Sequence, residues 1–318
     1  MEAPLTPNES NTEVSVPRIA PAPFNKPSAE IILRTADNVD FYVRRAILEE
    51  ASSTFADMTS FPQPPPVNGS AEGAAHVVLL TEPSEIIEPL LRVCYPVPDP
   101  EFSSLDELKP VLEATRKYQM DSVLQALARP LVQLSCAAPL PAYAIALQFG
   151  LDDAARGAAK LSLKYAPPWP FTKELEHVSG AAYYRLLVYR QKCVLAAKST
   201  IYGVDLCWLD EGTFCWFTCQ NSSCALSSGK FYVKASRELV YGATWFKRHL
   251  ERVLEFFSTT PCREALDRPG LSDQTIRDAA VCFPCRAVIS RDLRWFTLKL
   301  GNEVEKRVNK VILEIGST

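Results

Sequence analysis

Cysteine is the residue type whose spacing in this chain points to chemistry. There are ten, none before Cys94 and seven from Cys207 onward. Two close pairs stand out among them. Cys282-Phe283-Pro284-Cys285 is a C-x-x-C, and Cys219 and Cys224 bracket the turn-forming run Gln220-Asn221-Ser222-Ser223 as a C-x4-C. Tetrahedral zinc takes four thiolate or imidazole ligands, and pairs on tight turns present ligands in that geometry. The interval of roughly sixty residues between the pairs is longer than in compact zinc ribbons, so the fold would have to close it. Cys215, one helical turn or one strand repeat before Cys219, could replace either member of the first pair. A blander reading stands beside the metal one. Free cysteine is often buried and packs as a small hydrophobe, and spacing alone leaves both readings open. A redox C-x-x-C is disfavoured because the motif does not follow a strand in a βαβ pattern.

Other chemistry has little footing. His76, His177 and His249 are the only histidines, and none lies in a nucleophile motif. Structural histidines are expected at all three positions. Neither a phosphate loop nor a dinucleotide fingerprint is present, and twelve glycines leave few phosphate-cradling loops. The chain is therefore expected not to be an enzyme. A formal net charge of −3 gives no electrostatic reason for nucleic acid as the main ligand. The basic stretches Lys247-Arg248, Arg252 and 305–310 read as solvated helix faces.

The elements that must position these residues follow from periodicity. Residues 1–27 hold six prolines and no periodic pattern, and read as a disordered tail. Residues 29–35 and 39–45 read as a β-hairpin about an Asp-Asn turn. Residues 46–61 place Ile47, Leu48, Ala51, Phe55 and Met58 on one helical face. After a Pro-rich loop at 61–73 come a strand at 76–82, a helix from Ser84 to about Tyr95, and helices at 105–120 and 120–134. The apolar stretch 130–151 has the length of a membrane span, but Gln133, Gln148, Pro139 and Pro141 interrupt it, so two buried helices are expected. Further helices are predicted at 139–150, 151–165, 179–200, 245–257 and 294–315. The segment MEAPLTPNES lacks the basic and apolar regions of a secretory signal, which points to an intracellular protein, cytoplasmic or nuclear.

A small sheet capped by helices follows from this order, and the residues carry a family resemblance. The run Phe41-Tyr42-Val43-Arg44-Arg45-Ala46-Ile47-Leu48 resembles the strand-to-helix step of the BTB/POZ fold. Ser52-Ser53-Thr54-Phe55 resembles its S-x-x-F, and Leu91 to Tyr95 resembles its helix ending in tyrosine. Val111 to Met120 resembles its L-L-x-x-A-x-K-Y-x-M helix. Arg44 stands where most members have histidine, and Pro96 where many have glycine. The chain looks most like BTB proteins abundant in mushroom-forming fungi.

The resemblance implies an α+β fold: a BTB/POZ-like domain over 28–136, then a mainly α-helical C-terminal region. That region divides into a BACK-like helical extension at 137–200 and a cysteine-rich helical part at 201–318. It implies a protein–protein interaction module that homodimerises and binds other proteins, with a substrate-adaptor role on a cullin-type ubiquitin ligase or a transcription-related scaffold as forms of it. Ile31, Leu33, Phe41, Leu48 and Phe55 are the candidate fold or dimer contacts, with Phe41 and Phe55 favoured as core. The fungal proteins it resembles often carry two cysteine pairs around a tryptophan-bearing helix, which Trp245 would start here. The alternative is a zinc-stabilised regulator whose cysteine-rich half binds a protein or nucleic acid. Its structural zinc would sit on Cys219, Cys224, Cys282 and Cys285, tying the loop at 219–224 to the helices near 282–285.

Overall fold

The structure, a computed structural model, describes residues 16–60, 76–202, 205–209, 214–221, 224, 230–233 and 239–316. The chain divides into two compact units, one running to Leu134 and one starting at Ser135.

In the first unit, β1 (Arg18–Ile19), β2 (Ile31–Arg34), β3 (Val39–Val43) and β4 (His76–Leu79) make one sheet in the order β1-β3-β2-β4. The predicted hairpin is β2 against β3, antiparallel, with Ile32 opposite Tyr42. β4 adds parallel to β2, and β1 parallel to β3. The hairpin turn closes because Asn38 takes a left-handed φ of 62°, a conformation that asparagine tolerates. Asp37 in the same turn accepts the Ser84 backbone N–H at 2.8 Å and the Ser84 hydroxyl at 2.6 Å. Ser84 opens α3 (Ser84–Cys94), whose N-cap is Pro83 and offers no capping side chain. The turn therefore supplies the acceptor that the helix end lacks. Burial works against charge on Asp37, but the hydrogen bonds from Ser84 and Thr35 outweigh it and hold the carboxyl down at about 2.

The helix expected over 46–61 is two helices, α1 (Arg45–Ala51) and α2 (Ser53–Ser60). Ser52 is extended between them, donating its hydroxyl to the Tyr118 carbonyl at 2.5 Å and accepting the Phe55 N–H at 3.0 Å. α4 (Leu105–Lys117), α5 (Asp121–Ala126) and α6 (Ala128–Leu134) complete the unit, so the expected helix over 120–134 is broken at Leu127. Arg44, at the family's histidine position, clamps the chain entering β2: its guanidinium donates to the carbonyl and hydroxyl of Ser28.

One expectation for this unit needs correction. The ordered region begins earlier than residue 28. β1 lies within the expected tail, and Phe24 is fully buried against the rings of Phe41 and Tyr95, at 5.7 and 5.2 Å. The rest of that tail, residues 1–15, and most of the expected loop at 61–73 fall outside the described residues. The candidate fold or dimer contacts Ile31, Leu33, Phe41, Leu48 and Phe55 are all core, none more than 1% exposed, in keeping with the fold alternative. They face the helices of their own unit, so none is available on its surface.

The second unit opens with α7 (Pro139–Gln148) and α8 (Asp152–Ser162). Ala142, Ala144, Ala146, Ala154, Ala155, Ala158 and Ala159 are all buried, and their small size lets the two backbones approach. Gly150, with φ of 68°, ends α7. A 3-10 turn at Lys173–His177 leads to α9 (Gly180–Lys198). The expectation of helices alone beyond residue 200 was incomplete. β5 (Asp205–Leu206), β6 (Lys230–Val233) and β7 (Leu239–Tyr241) form a second sheet in that order, with α10 (Cys215–Thr218) between β5 and β6 in the chain. α11 (Thr244–Thr259), α12 (Leu271–Ala279) and α13 (Phe283–Val308) follow. α13 begins well before the expected residue 294 and stops at Val308, short of the expected 315. The stretches read separately, 137–200 and 201–318, fall within this one unit.

Arg190 on α9 is buried without a carboxylate partner among the described residues. Its guanidinium donates to the carbonyls of Ser162, at 3.2 Å, and of Thr259, and it lies 5.2 Å from the Trp169 ring centre. Ser162 and Thr259 are the last residues of α8 and α11. Helix C-termini carry partial negative charge and unpaired carbonyls, and one cation here satisfies two of them.

His249 on α11 is also buried, with Nδ1 2.8 Å from Thr275 Oγ1. The Thr275 hydroxyl proton is directed to the Leu271 carbonyl at 2.9 Å, so Nδ1 is the donor. Burial, reinforced by nearby Arg252, pushes the His249 pKa down to about 3. The unfolded chain takes up this proton below about pH 6.5 and the folded one does not. Stability is therefore complete above about 6.5 and falls as pH drops towards 3, by up to about 1.4 kcal/mol per pH unit. Unfolding followed between pH 7 and 5.5, above the carboxylate range, should show this slope in the native chain and lose it in His249→Phe.

Candidate metal centre

The cysteine pairs are brought together from two directions. Cys219 caps the C-terminus of α10, and Cys224 follows on the succeeding turn. Cys282 is the N-cap of α13, and Cys285 lies in its first turn, with Pro284 between them. Proline suits the first helical turn, where its missing N–H has no partner to lose. The C-x-x-C is thus a helix start, and a helix N-terminus favours negative charge on sulfur.

The interval between the pairs is closed by stacked aromatic rings. Trp216 on α10 is fully buried between Phe214 and Phe246, its centroid 4.6 and 4.5 Å from theirs with 8° between planes in each case. Phe296 of α13 meets it edge-on at 5.5 Å and Trp245 of α11 at 5.9 Å. α10 is therefore held to α11 and α13 through one side chain. Gly242 leaves room for the same cluster, since a Cβ there would stand 2.6 Å from the Phe231 ring. A polar tie adds to the packing. The buried carboxylate of Asp292, paired with Arg291, accepts the Cys215 N–H at 2.9 Å and so fixes the start of α10 to α13.

The result is a compact set of four sulfurs. Cys219, Cys224, Cys282 and Cys285 are all buried, and their Sγ atoms lie within 4.8 Å of one another. Cys219 and Cys282 are 3.6 Å apart and Cys224 and Cys285 3.4 Å, all four as free thiols. Zinc–sulfur bonds of about 2.3 Å in a tetrahedron separate neighbouring sulfurs by about 3.8 Å. The observed spacing fits a single tetrahedral ion and is too tight for a cluster in which the cysteines bind different irons. Cys215 is buried beside this set but is not one of the four; its thiol lies by the Asp292 carboxylate and Cys285.

Electrostatics fit the same reading. Burial pushes the Cys224 thiol up to about 11 and Cys285 higher still. Four uncharged thiols in such a place have few acceptors, whereas a divalent cation replaces their protons and neutralises the thiolates. The indole N–H of Trp245 is buried without a hydrogen-bond partner and is among the groups that favour charge on Cys224. A thiolate there would give it an acceptor. Four cysteines would take all four positions around a tetrahedral ion, the arrangement of closed structural sites.

The histidines stay apart from this centre. His76 begins β4, His177 is exposed, and His249 is used by Thr275. No helix among the described residues is long and apolar enough to cross a membrane.

Comparison with known proteins bears on the first unit. Residues 24–135 match the family model for the BTB/POZ domain. The match starts close to buried Phe24 and ends at the boundary between the two units. No curated protein matches the chain. BTB/POZ domains are protein-interaction modules that generally self-associate and bind other proteins.

If the aromatic cluster sets the sulfur geometry, Trp216→Ala should lower the stability of the second unit by about 3–5 kcal/mol. It should also make the four thiols reactive towards a thiol reagent under conditions where the native ones are protected. A Trp216→Ala chain with unchanged thiol protection would show that the cluster does not position them.

Proposed function

We propose that the chain is a self-associating protein-interaction module, with the BTB/POZ domain at 24–135 as its recruiting half and a zinc-tied second unit as its companion. The family match over that domain carries the first part. The five sequence candidates are core, so self-association falls to another surface, and the outer face of the sheet is the one the observations favour. Register places Ile19, Tyr42, Ile32, Val77 and Leu79 on that face around the Arg34–Asp40 ion pair, opposite buried Ile31, Leu33 and Phe41. Leu79 is 75% exposed and Ile19 60%. Apolar side chains gathered on one sheet face are the mark of an interface rather than of a solvated surface. A substrate-adaptor role on a cullin-type ligase or a scaffold role in transcription would use such a module to bridge partners. Non-enzymatic action is the corresponding reading.

Native mass spectrometry of the full chain tests this directly. A dimer is expected, and Leu79→Asp should convert it to monomer while leaving the fold intact. A native monomer at micromolar concentration would count against self-association, and a dimer indifferent to Leu79→Asp against this face.

The second reading, a zinc-stabilised regulator, rests on the convergence of Cys219, Cys224, Cys282 and Cys285. In it one zinc per chain is bound by four thiolates, and its binding energy becomes folding energy of the second unit. The same spectra should show one zinc per chain, lost in Cys285→Ser together with a lowered unfolding temperature of that unit. A fully folded, metal-free native chain whose stability is unaffected by chelator would leave the four cysteines as packed hydrophobes.

A further inference from the structure

The outer face of α13 is unusual in its charge. Between Phe283 and Asn302 the helix carries Arg286, Arg291, Arg294 and Lys299, and its one acid, Asp292, is buried and committed to Cys215 and Arg291. Arg294 has neither an ion pair nor a hydrogen bond among the described residues. On the same exposed arc lie Trp295, 51% exposed, and Leu298, 44% exposed. Residues three and four apart share a helix face, so Arg291, Arg294, Trp295 and Leu298 form one stripe of cations and apolar groups.

A groove of about 590 Å³ runs beside this stripe, between α13, α12 and the 3-10 turn at Arg263–Asp267. Leu266, Ile276 and Leu293 give it apolar lining, and Arg294 and Leu298 belong to both the groove and the stripe. Two further arginines line it but are engaged elsewhere. Arg263 donates to Asn302, and Arg268 donates to Thr260 and lies over Phe256. Asp267 and Asp273 line it from the side of the 3-10 turn and α12.

We propose that this groove and the α13 stripe dock an acidic amphipathic peptide segment of a partner protein. Apolar side chains of the segment enter against Ile276 and Leu298, with Trp295 as the aromatic anchor at the rim. Its carboxylates meet Arg294 and Arg291, and Asp267 and Asp273 fix its direction by accepting a basic residue on the other side. A nucleic acid fits less well, because those two carboxylates repel a continuous polyanion and the apolar lining has no use for phosphate. Helix-in-groove recognition combines these same elements, apolar anchors at helical spacing and a charged flank. This surface belongs to the second unit and does not depend on the self-association described above.

The test uses the full chain and three labelled probes. One is a synthetic helical peptide with leucine on one face and glutamate on the other, the second its lysine counterpart, and the third a single-stranded DNA of similar length. Fluorescence anisotropy should report micromolar binding of the glutamate peptide, weakened by added salt, and at least tenfold weaker binding of the other two probes. Arg294→Glu and Trp295→Ala, both on exposed positions, should each weaken the glutamate peptide at least tenfold with unchanged circular dichroism. Absence of glutamate-peptide binding, or binding indifferent to both substitutions, overturns the proposal. Tighter binding of DNA than of the peptide, lost in Arg294→Glu, overturns it in favour of a nucleic-acid surface.

Discussion

The geometry of the second unit depends on one indole ring. Trp216 lies parallel between Phe214 and Phe246 and meets Phe296 edge-on, so a four-residue helix with little stability of its own is fixed to two long ones. Short helices do not persist without such packing. Closing a loop of roughly sixty residues costs conformational entropy that a single ion would otherwise have to offset alone. The aromatic cluster meets that cost before any ligand is considered, and Asp292 sets the register of α10 against α13 by taking the Cys215 N–H. Sulfurs brought within 4.8 Å of one another are then a consequence of packing. Replacing the ring therefore acts on the thiols from a distance, through the elements that carry them.

A second theme is that helix ends in each unit are completed by charges from distant parts of the chain. In the first unit Asp37, in a hairpin turn, accepts the Ser84 N–H at the start of α3, where proline cannot cap. In the second, Arg190 closes the C-termini of α8 and α11 together. Both charges have the sign that the helix dipole favours. This explains why a buried arginine needs no carboxylate: helix-terminal carbonyls provide its acceptors, and the Trp169 face covers it. Such residues join elements that the backbone alone would leave independent.

Much of the first unit was legible in the sequence, because its hairpin and helices carry clear periodicity and because Phe41, Phe55, Tyr95 and Tyr118 fall at family-like spacing. The misreadings have local causes. Ser52 breaks a continuous helical pattern because its hydroxyl serves Tyr118 and Phe55, and neither bond leaves a trace in periodicity. Phe24 sits in a proline-rich stretch whose composition resembles a solvated tail, yet its ring fills a space beside Phe41. β5, β6 and β7 are two to four residues long, too short for alternation to register. The start of α13 was hidden by Pro284, which reads as a breaker unless it falls in the first helical turn. The four sulfurs were nominated by spacing alone. Ile31, Leu33, Phe41, Leu48 and Phe55 stay open between fold and dimer contact in the sequence because pattern distinguishes buried from exposed, not core from interface.

The closed character of the cysteine centre limits what it can contribute and links it to the surface of α13. On the proposed reading, one ion held by four protein sulfurs would leave no position for substrate, so its effect would be mechanical. It acts on the first turn of α13, where Cys282 and Cys285 lie, while Phe296 anchors the same helix near its middle. A helix held at both points presents Arg291, Arg294, Trp295 and Leu298 in a fixed arrangement, and rigid presentation lowers the entropy lost when a partner docks. Buried sulfurs, indole cluster and exposed stripe thus act on successive turns of one helix: the inner side determines where the helix lies, and its position determines what the outer side can bind.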